Sequence, residues 1–177
     1  MTDKMNAMQT PRIEKLTLNI GAGKDQVKLE KGVTLLKHIT GIDPVKTVTN
    51  KRIPNWGLRP GLPIGCKLTM RKQKAKDLIR RLLEAKKKTL VESQFDNFGN
   101  ISFGVQEYID IPGVAYKPEL GVLGLQVCIT LEKPGFRIKK RAFLKKEIGK
   151  KHLITKANAI DFMKKEFGIN VVEKEGA

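Results

Sequence analysis

Between Leu123 and Glu132 apolar and small or polar residues alternate without a break: Leu123, Leu125, Val127, Ile129 and Leu131 on one side, Gly124, Gln126, Cys128, Thr130 and Glu132 on the other. A period of two is the signature of a strand with one buried and one open face, because successive side chains point to opposite sides of the sheet. Such a strand cannot stand alone; it needs neighbours with the same pattern. The chain supplies them. Leu16, Leu18 and Ile20 alternate with Lys15, Thr17 and Asn19. Ile64, Cys66, Leu68 and Met70 alternate with Gly65, Lys67, Thr69 and Arg71. Ile101, Phe103 and Val105 form a shorter run, and Val45–Asn50 is rich in β-branched residues.

Helical spacing fills the intervals. From about Asp25 to Thr40, Leu29, Val33, Leu36 and Ile39 fall on one stripe; Gly41 closes the helix and Pro44 prevents a restart. Lys74–Lys88 places Ala75, Leu78, Ile79 and Leu82 on one face. Thr155 is a cap for a last helix with Ile160, Met163 and Phe167 inward and Gly168 at its end. The order β-α-β-β-α-β-β-α predicts an α+β fold: a mainly antiparallel sheet, helices packed on one face, a polar open face. Residues 1–177 read as a single domain with a mobile basic loop at 50–63 and a basic C-terminal segment at 133–156.

Charge narrows the partner. The chain has 35 Lys+Arg against 18 Asp+Glu, a formal net charge of +17, with 40% hydrophobic residues. That apolar content is too high for a disordered polybasic chain. The longest uncharged apolar stretch, Leu120–Leu131, is too short to cross a bilayer. Met1–Met8 lacks the apolar run of a secretion signal. The expected partner is a polyanion, with nucleic acid ahead of a membrane surface. The charge is laid out in blocks: ten Lys/Arg in residues 67–88, ten in 133–156, and only Lys117 against five acids in 89–125. Solvated helix faces and contact with an RNA backbone both account for such blocks.

No catalytic pattern survives inspection. Gly23-Lys24 lacks the earlier glycine and following hydroxyl of a phosphate-binding loop; those places hold Leu18 and Asp25. The two histidines, His38 and His152, have no recognisable nucleophile or acid partner. Cys66 and Cys128 form no metal-binding spacing and are expected as free thiols. The reading is of a non-enzyme without cofactor or metal. The strand alternation sends Thr17, Asn19, Lys67, Thr69, Arg71, Gln126, Cys128 and Thr130 to the open face, where short polar and cationic groups can bond phosphate and ribose oxygens. Tyr108 is the only aromatic in register with that face, so a folded RNA recognised by shape is expected rather than stacked single strands. A simply wet sheet face is the plain alternative.

Several ordered motifs carry a resemblance. Asn19-Ile20-Gly21-Ala22-Gly23, Ile39-Thr40-Gly41, Leu58-Arg59-Pro60-Gly61-Leu62-Pro63-Ile64-Gly65-Cys66-Lys67-Leu68-Thr69-Met70-Arg71, and Phe98-Gly99-Asn100 before Ser102-Phe103-Gly104 together resemble the L-five family of large-subunit ribosomal proteins. Lys133-Pro134-Gly135-Phe136-Arg137 and the basic residues after it are closer to archaeal and eukaryotic members. The resemblance implies binding to 5S rRNA, contact with the large-subunit rRNA, approach to P-site tRNA, a bridge to the thirteenth protein of the small-subunit head, and a place on the cytoplasmic ribosome. It puts the family's RNA-contacting asparagine and threonine on Asn19 and Thr69. The expected rRNA-binding set is Thr17, Asn19, Lys46, Lys67, Thr69 and Arg71. The expected tRNA-contacting loop carries Lys51, Arg52, Trp56 and Arg59. The polar residue that commonly follows Thr-Gly in the family is Ile42 here. An assembly or protein-interaction role outside the mature ribosome, using the neutral 89–125 stretch, is the second reading.

Overall fold

The computed structural model describes residues 6–172; the two ends of the span expected as one domain, 1–5 and 173–177, lie outside the described residues. Alternation becomes a five-stranded antiparallel sheet of β1 (Arg12–Gly21), β2 (Val45–Val48), β3 (Pro63–Met70), β5 (Asn100–Val105) and β6 (Leu125–Glu132), in the order β2-β3-β1-β6-β5. The expected α+β architecture is the observed one. β1 is central, bonded to β3 on one side and β6 on the other. Its apolar side chains, Leu16, Leu18 and Ile20, are almost wholly buried, as are Val127, Ile129 and Leu131 of β6.

The buried face is covered by α1 (Gln26–Thr40), α2 (Lys72–Ala85) and α4 (Lys156–Phe167), with a one-turn α3 (Arg137–Lys140) beyond the sheet's end. Asp25 caps α1 by accepting hydrogen bonds from the backbone of Val27 and Lys28, at 2.9 and 3.1 Å. Gly41 ends it in the left-handed conformation. Along α1 the inward stripe is Leu29, Gly32, Leu35, Leu36 and Ile39, and Val33 is only half-buried. Gly32 is there for close approach: a Cβ would sit 3.2 Å from both Cys66 Sγ and Ile20 Cγ2, so the helix lies tight on β1 and β3. Thr155 caps α4 as its sequence predicts, and Ala159, Met163 and Phe167 point inward.

Besides the one-turn α3, two strands have no counterpart in the predicted order. Thr89–Val91 (β4) and Asn170–Val172 (β7) pair in parallel as a separate two-stranded sheet. Tyr108 also departs from expectation. It lies in a 3₁₀ turn, fully buried, its hydroxyl accepting from the Lys117 N–H at 3.0 Å and donating to the Lys117 carbonyl at 3.2 Å. Buried tyrosines need such a partner; here the ring closes the 108–117 loop and offers nothing to the open face. Among the described residues, no helix is long and apolar enough to cross a membrane.

An ion cluster ties the basic C-terminal segment to the sheet. Arg12 donates to Glu132 from Nε and Nη2 at 2.9 and 2.8 Å, and Lys140 Nζ reaches Glu132 at 2.5 Å and Glu14 at 2.8 Å. Burial works against ionisation of Glu132, yet hydrogen bonds from Lys140 and Arg12, and their charge, outweigh it and hold the carboxyl below its ordinary range. For Lys140, burial is likewise outweighed by Glu132 and Glu14, which raise its pKa. A carboxyl lowered by folding adds stability above its unfolded value, about 4.3, and loses that contribution as pH falls through the lower folded value. The raised lysine adds stability below its unfolded value, about 10.4, and loses it as pH rises through the folded one. Glu132→Gln should therefore cost roughly 1–2 kcal/mol at pH 7, after allowance for the exposure of Lys140. In urea unfolding, the gap between wild type and variant should narrow as the pH falls below about 4.3 toward the lower folded value of Glu132; a gap that does not shrink on acidification would contradict the cluster's role.

Candidate nucleic-acid interface

Residues opposite one another in an antiparallel pair share a face, so the register writes the open face as rows across the sheet. One row runs Val45, Lys67, Asn19, Gln126, Gly104. The next runs Thr69, Thr17, Cys128, Ser102. The third runs Lys15, Thr130, Asn100. Lys67, Thr69, Gln126, Cys128, Ser102 and Asn100 are exposed; Thr17, Asn19, Thr130 and Lys15 are half-buried between their neighbours. These rows contain amides, hydroxyls, one thiol and two lysines, and no carboxylate or aromatic ring.

Asn19 and Gln126 are joined by a hydrogen bond, Asn19 Nδ2 to Gln126 Oε1, at 3.1 Å. The bond fixes both amides and leaves Asn19 Oδ1 and Gln126 Nε2 free, an acceptor and a donor side by side. Arg71 follows β3 in extended backbone (φ −139°, ψ 171°), exposed, as the cap residue before α2. It continues the alternation past Thr69.

Five of the six expected rRNA contacts thus come together: Thr17, Asn19, Lys67, Thr69 and Arg71. Lys46 does not. It pairs with Cys66, the helix-side residue of β3, so it points to the other side of the edge strand, and Val45 holds the open-face place beside Lys67. The sequence reading had no register for β2, whose four residues, Val-Lys-Thr-Val, do not alternate. It also passed over Asn100 and Ser102, which the Ile101–Phe103–Val105 alternation already sends to the open face.

The 50–63 stretch has a structure of its own. Ile53 and Leu58 form an isolated bridge, Pro54–Trp56 make a 3₁₀ turn, and Gly57 ends it with φ 67°. Leu58 is buried, and Thr49 Oγ1 bonds the backbone of Lys51 at its base. Lys51, Arg52 and Arg59 are exposed and Trp56 stands 68% exposed at the tip. Ile42 is exposed after α1, its N–H bonded to Thr40 Oγ1 at 3.2 Å.

The basic segment sits at the Arg12–Glu132 end of the sheet, rooted by Lys140. Phe136 packs edge-on against His152, ring centroids 5.8 Å apart, and His152 Nε2 lies 2.8 Å from the Pro134 carbonyl. The two cysteines are free and lie on opposite faces: Cys66 buried, which pushes its thiol pKa up, and Cys128 exposed among Thr17 and Ser102. Among the described residues no group of three or more His, Cys, Asp or Glu is placed to hold a metal ion.

Two family models match this chain: that of ribosomal protein L5 over residues 6–59, and that of the C-terminus of the same ribosomal family over residues 63–162. Among curated relatives, the large ribosomal subunit protein uL5 of Sulfolobus acidocaldarius is 42% identical over 170 residues, covering 96% of each chain. That of Nitrosopumilus maritimus is 44% identical over 164 residues, covering 93% of this chain and 95% of its own. That of Methanobrevibacter smithii is 42% identical, covering 95% and 99%. Matches of this extent leave no element of the five-stranded sheet outside the alignment, and the chain belongs to the ribosomal protein L5 family, in its archaeal-type form.

Proposed function

We propose that the open sheet face is the 5S rRNA-binding surface of this protein. As a member of its family the chain is a structural, non-enzymatic constituent of the large ribosomal subunit, and so works on the cytoplasmic ribosome. The observation that carries the finer reading is the composition of the three rows. A face of fixed amides and hydroxyls, edged by Lys67, Arg71 and Lys15 and free of carboxylates, can bond phosphate oxygens and 2′-hydroxyls together. Its lack of a ring suits a helix or a structured loop read by shape, not stacked bases.

The remaining contacts follow from charge and position. The basic residues of 133–156 and of α2 neutralise backbone phosphates of the large-subunit rRNA. The 50–63 loop, with Lys51, Arg52 and Arg59 around the exposed Trp56, reaches P-site tRNA. The bridge to the small-subunit head protein is part of the same reading and rests on family resemblance alone.

Asn19→Ala and Thr69→Ala should each weaken binding to a 5S rRNA transcript about tenfold, ~1.4 kcal/mol. Lys87→Ala or Lys88→Ala, at the end of α2 and off the face, should leave that affinity nearly unchanged; the reverse order in a filter-binding titration would move the site. Cys128 gives an independent check. A maleimide should label Cys128 and spare Cys66 in the free protein, 5S rRNA should slow the labelling, and the labelled protein should bind poorly. Equal labelling rates with and without RNA would argue against the face. For the loop, Arg52→Ala with Arg59→Ala should reduce cross-linking to P-site tRNA in assembled subunits without lowering 5S rRNA affinity.

A further inference from the structure

We infer that a cavity at the end of the open face takes one unpaired nucleotide of the bound RNA, its base stacked on Phe98. The inference rests on the RNA reading of the open face and adds to it a feature the three rows lack, an aromatic platform.

The cavity, 370 Å³, lies where the third row of the sheet, Lys15, Thr130 and Asn100, meets the basic segment at Lys139 and Lys145, with Phe98 on its wall. Its size is within the lower end of the ~300–1,000 Å³ range of small-ligand sites. Phe98 is 66% exposed, so its ring contributes little to the core. The backbone that carries it is nevertheless fixed from two directions. The Asp96 carboxylate accepts from the Phe98 N–H and, at 2.7 Å, from Asn100 Nδ2, while the Asp96 N–H donates to the Asn100 carbonyl at 2.9 Å. On the other side Gly99, at φ 79°, is pressed onto the buried Ile154; a Cβ there would come within 2.9 Å of Ile154 Cγ2. A left-handed residue with no room for a side chain explains the glycine. The turn fixes the backbone that carries an exposed ring, at a place where the core gains little from it.

The polar groups around the ring suit a nucleotide. Asn100, having given its amide N–H to Asp96, keeps Oδ1 as an acceptor for a base edge, and Thr130 adds a hydroxyl. Among the described residues Lys15, Lys139 and Lys145 have no carboxylate partner, whereas Glu14, the acid at the rim, is held by Lys140 at 2.8 Å. Three uncommitted ammonium groups beside an aromatic face call for a ligand that is anionic and flat. A paired base is sealed inside its helix, so the nucleotide must be one that a loop or bulge leaves unstacked. Because the third row of the open face forms one side of the cavity, that nucleotide belongs to the RNA lying across the sheet.

Removal of the ring tests this directly. Phe98→Ala should weaken binding of a 5S rRNA transcript about tenfold, within the span measured for base–aromatic stacking, and leave the thermal midpoint nearly unchanged. Phe98→Trp should stay within about twofold of wild type, and Phe98→Leu should fall with Phe98→Ala. The slope of log affinity against log salt should not change for Phe98→Ala, but should drop by roughly 0.7–0.9 for Lys139→Ala or Lys145→Ala. In chemical probing, one unpaired base protected by the wild-type protein should become reactive with Phe98→Ala. Wild-type affinity and probing for Phe98→Ala, with Asn19→Ala still weakened, would overturn the pocket and leave the sheet-face reading intact. Phe98→Leu matching Phe98→Trp would overturn stacking. Loss with Phe98→Ala but none with Asn19→Ala or Thr69→Ala would keep the pocket and remove the sheet-face site.

Discussion

Strand β1 is hydrogen-bonded along both edges, to β3 and to β6, and this double pairing sets the positions of everything else. Its even-numbered residues Leu16, Leu18 and Ile20 are the floor on which α1 and α2 pack, and its odd-numbered residues Lys15, Thr17 and Asn19 are the centre of the open face. A slip of one residue would exchange the two sets, burying a lysine and an asparagine and exposing three large aliphatic chains. At roughly 1.5–3 kcal/mol for each such chain, the penalty is a large part of the stability of a domain. The same energy that builds the core therefore also fixes the register of Asn19 against Lys67 and Gln126. The interface inherits its geometry from hydrophobic burial on the other side of the sheet.

Charge and shape then divide the work. Long-range attraction belongs to the blocks of lysine and arginine, which act through solvent and weaken with salt. On the proposed reading, discrimination belongs to groups with direction: the paired amides of Asn19 and Gln126, the hydroxyls of Thr17, Thr69 and Ser102, and the ring of Phe98. The ion cluster of Arg12, Glu132, Lys140 and Glu14 joins the two functions. It spends one lysine of the basic segment on the fold, and so presents Lys139 and Lys145 at a fixed place beside the sheet.

Wherever one face of an element is buried along its length, the sequence already displayed it. The alternation in β6, the Asp25 and Gly41 ends of α1 and the Thr155 cap of α4 are local signals with local causes, and each is found in place. The open-face placement followed from the same rule: Thr17, Asn19, Lys67 and Thr69 each sit between buried neighbours, and Arg71 continues their alternation. Lys46 lies off that face, and a four-residue edge strand carries too few residues to reveal which way it points. β4 and β7 were invisible for a related reason: three residues each, paired in parallel across about eighty positions, they owe their conformation to α2 and α4 bringing them together. The alternation of Ile101, Phe103 and Val105, carried on to Tyr108, points its ring to the open face, but the strand ends at Val105 and a 3₁₀ turn takes the ring inward to the Lys117 backbone. The cavity beside Phe98 is built from four separated segments, and no window of the sequence contains them.

The pairing of β1 with β6 also bears on when the molecule can act during its own synthesis. Asn19 leaves the ribosomal exit early, but Gln126, its hydrogen-bonded neighbour, follows 107 residues later, and the parallel β4–β7 pair cannot form until residue 172 has emerged. Contacts so distant along the chain form slowly and late. A growing chain that already carries the basic α2 thus has positive charge without a finished surface to direct it. If the open face is the selective surface, as proposed, selectivity arrives only once β6 has paired with β1, and a shorter product would attract RNA without choosing among RNAs.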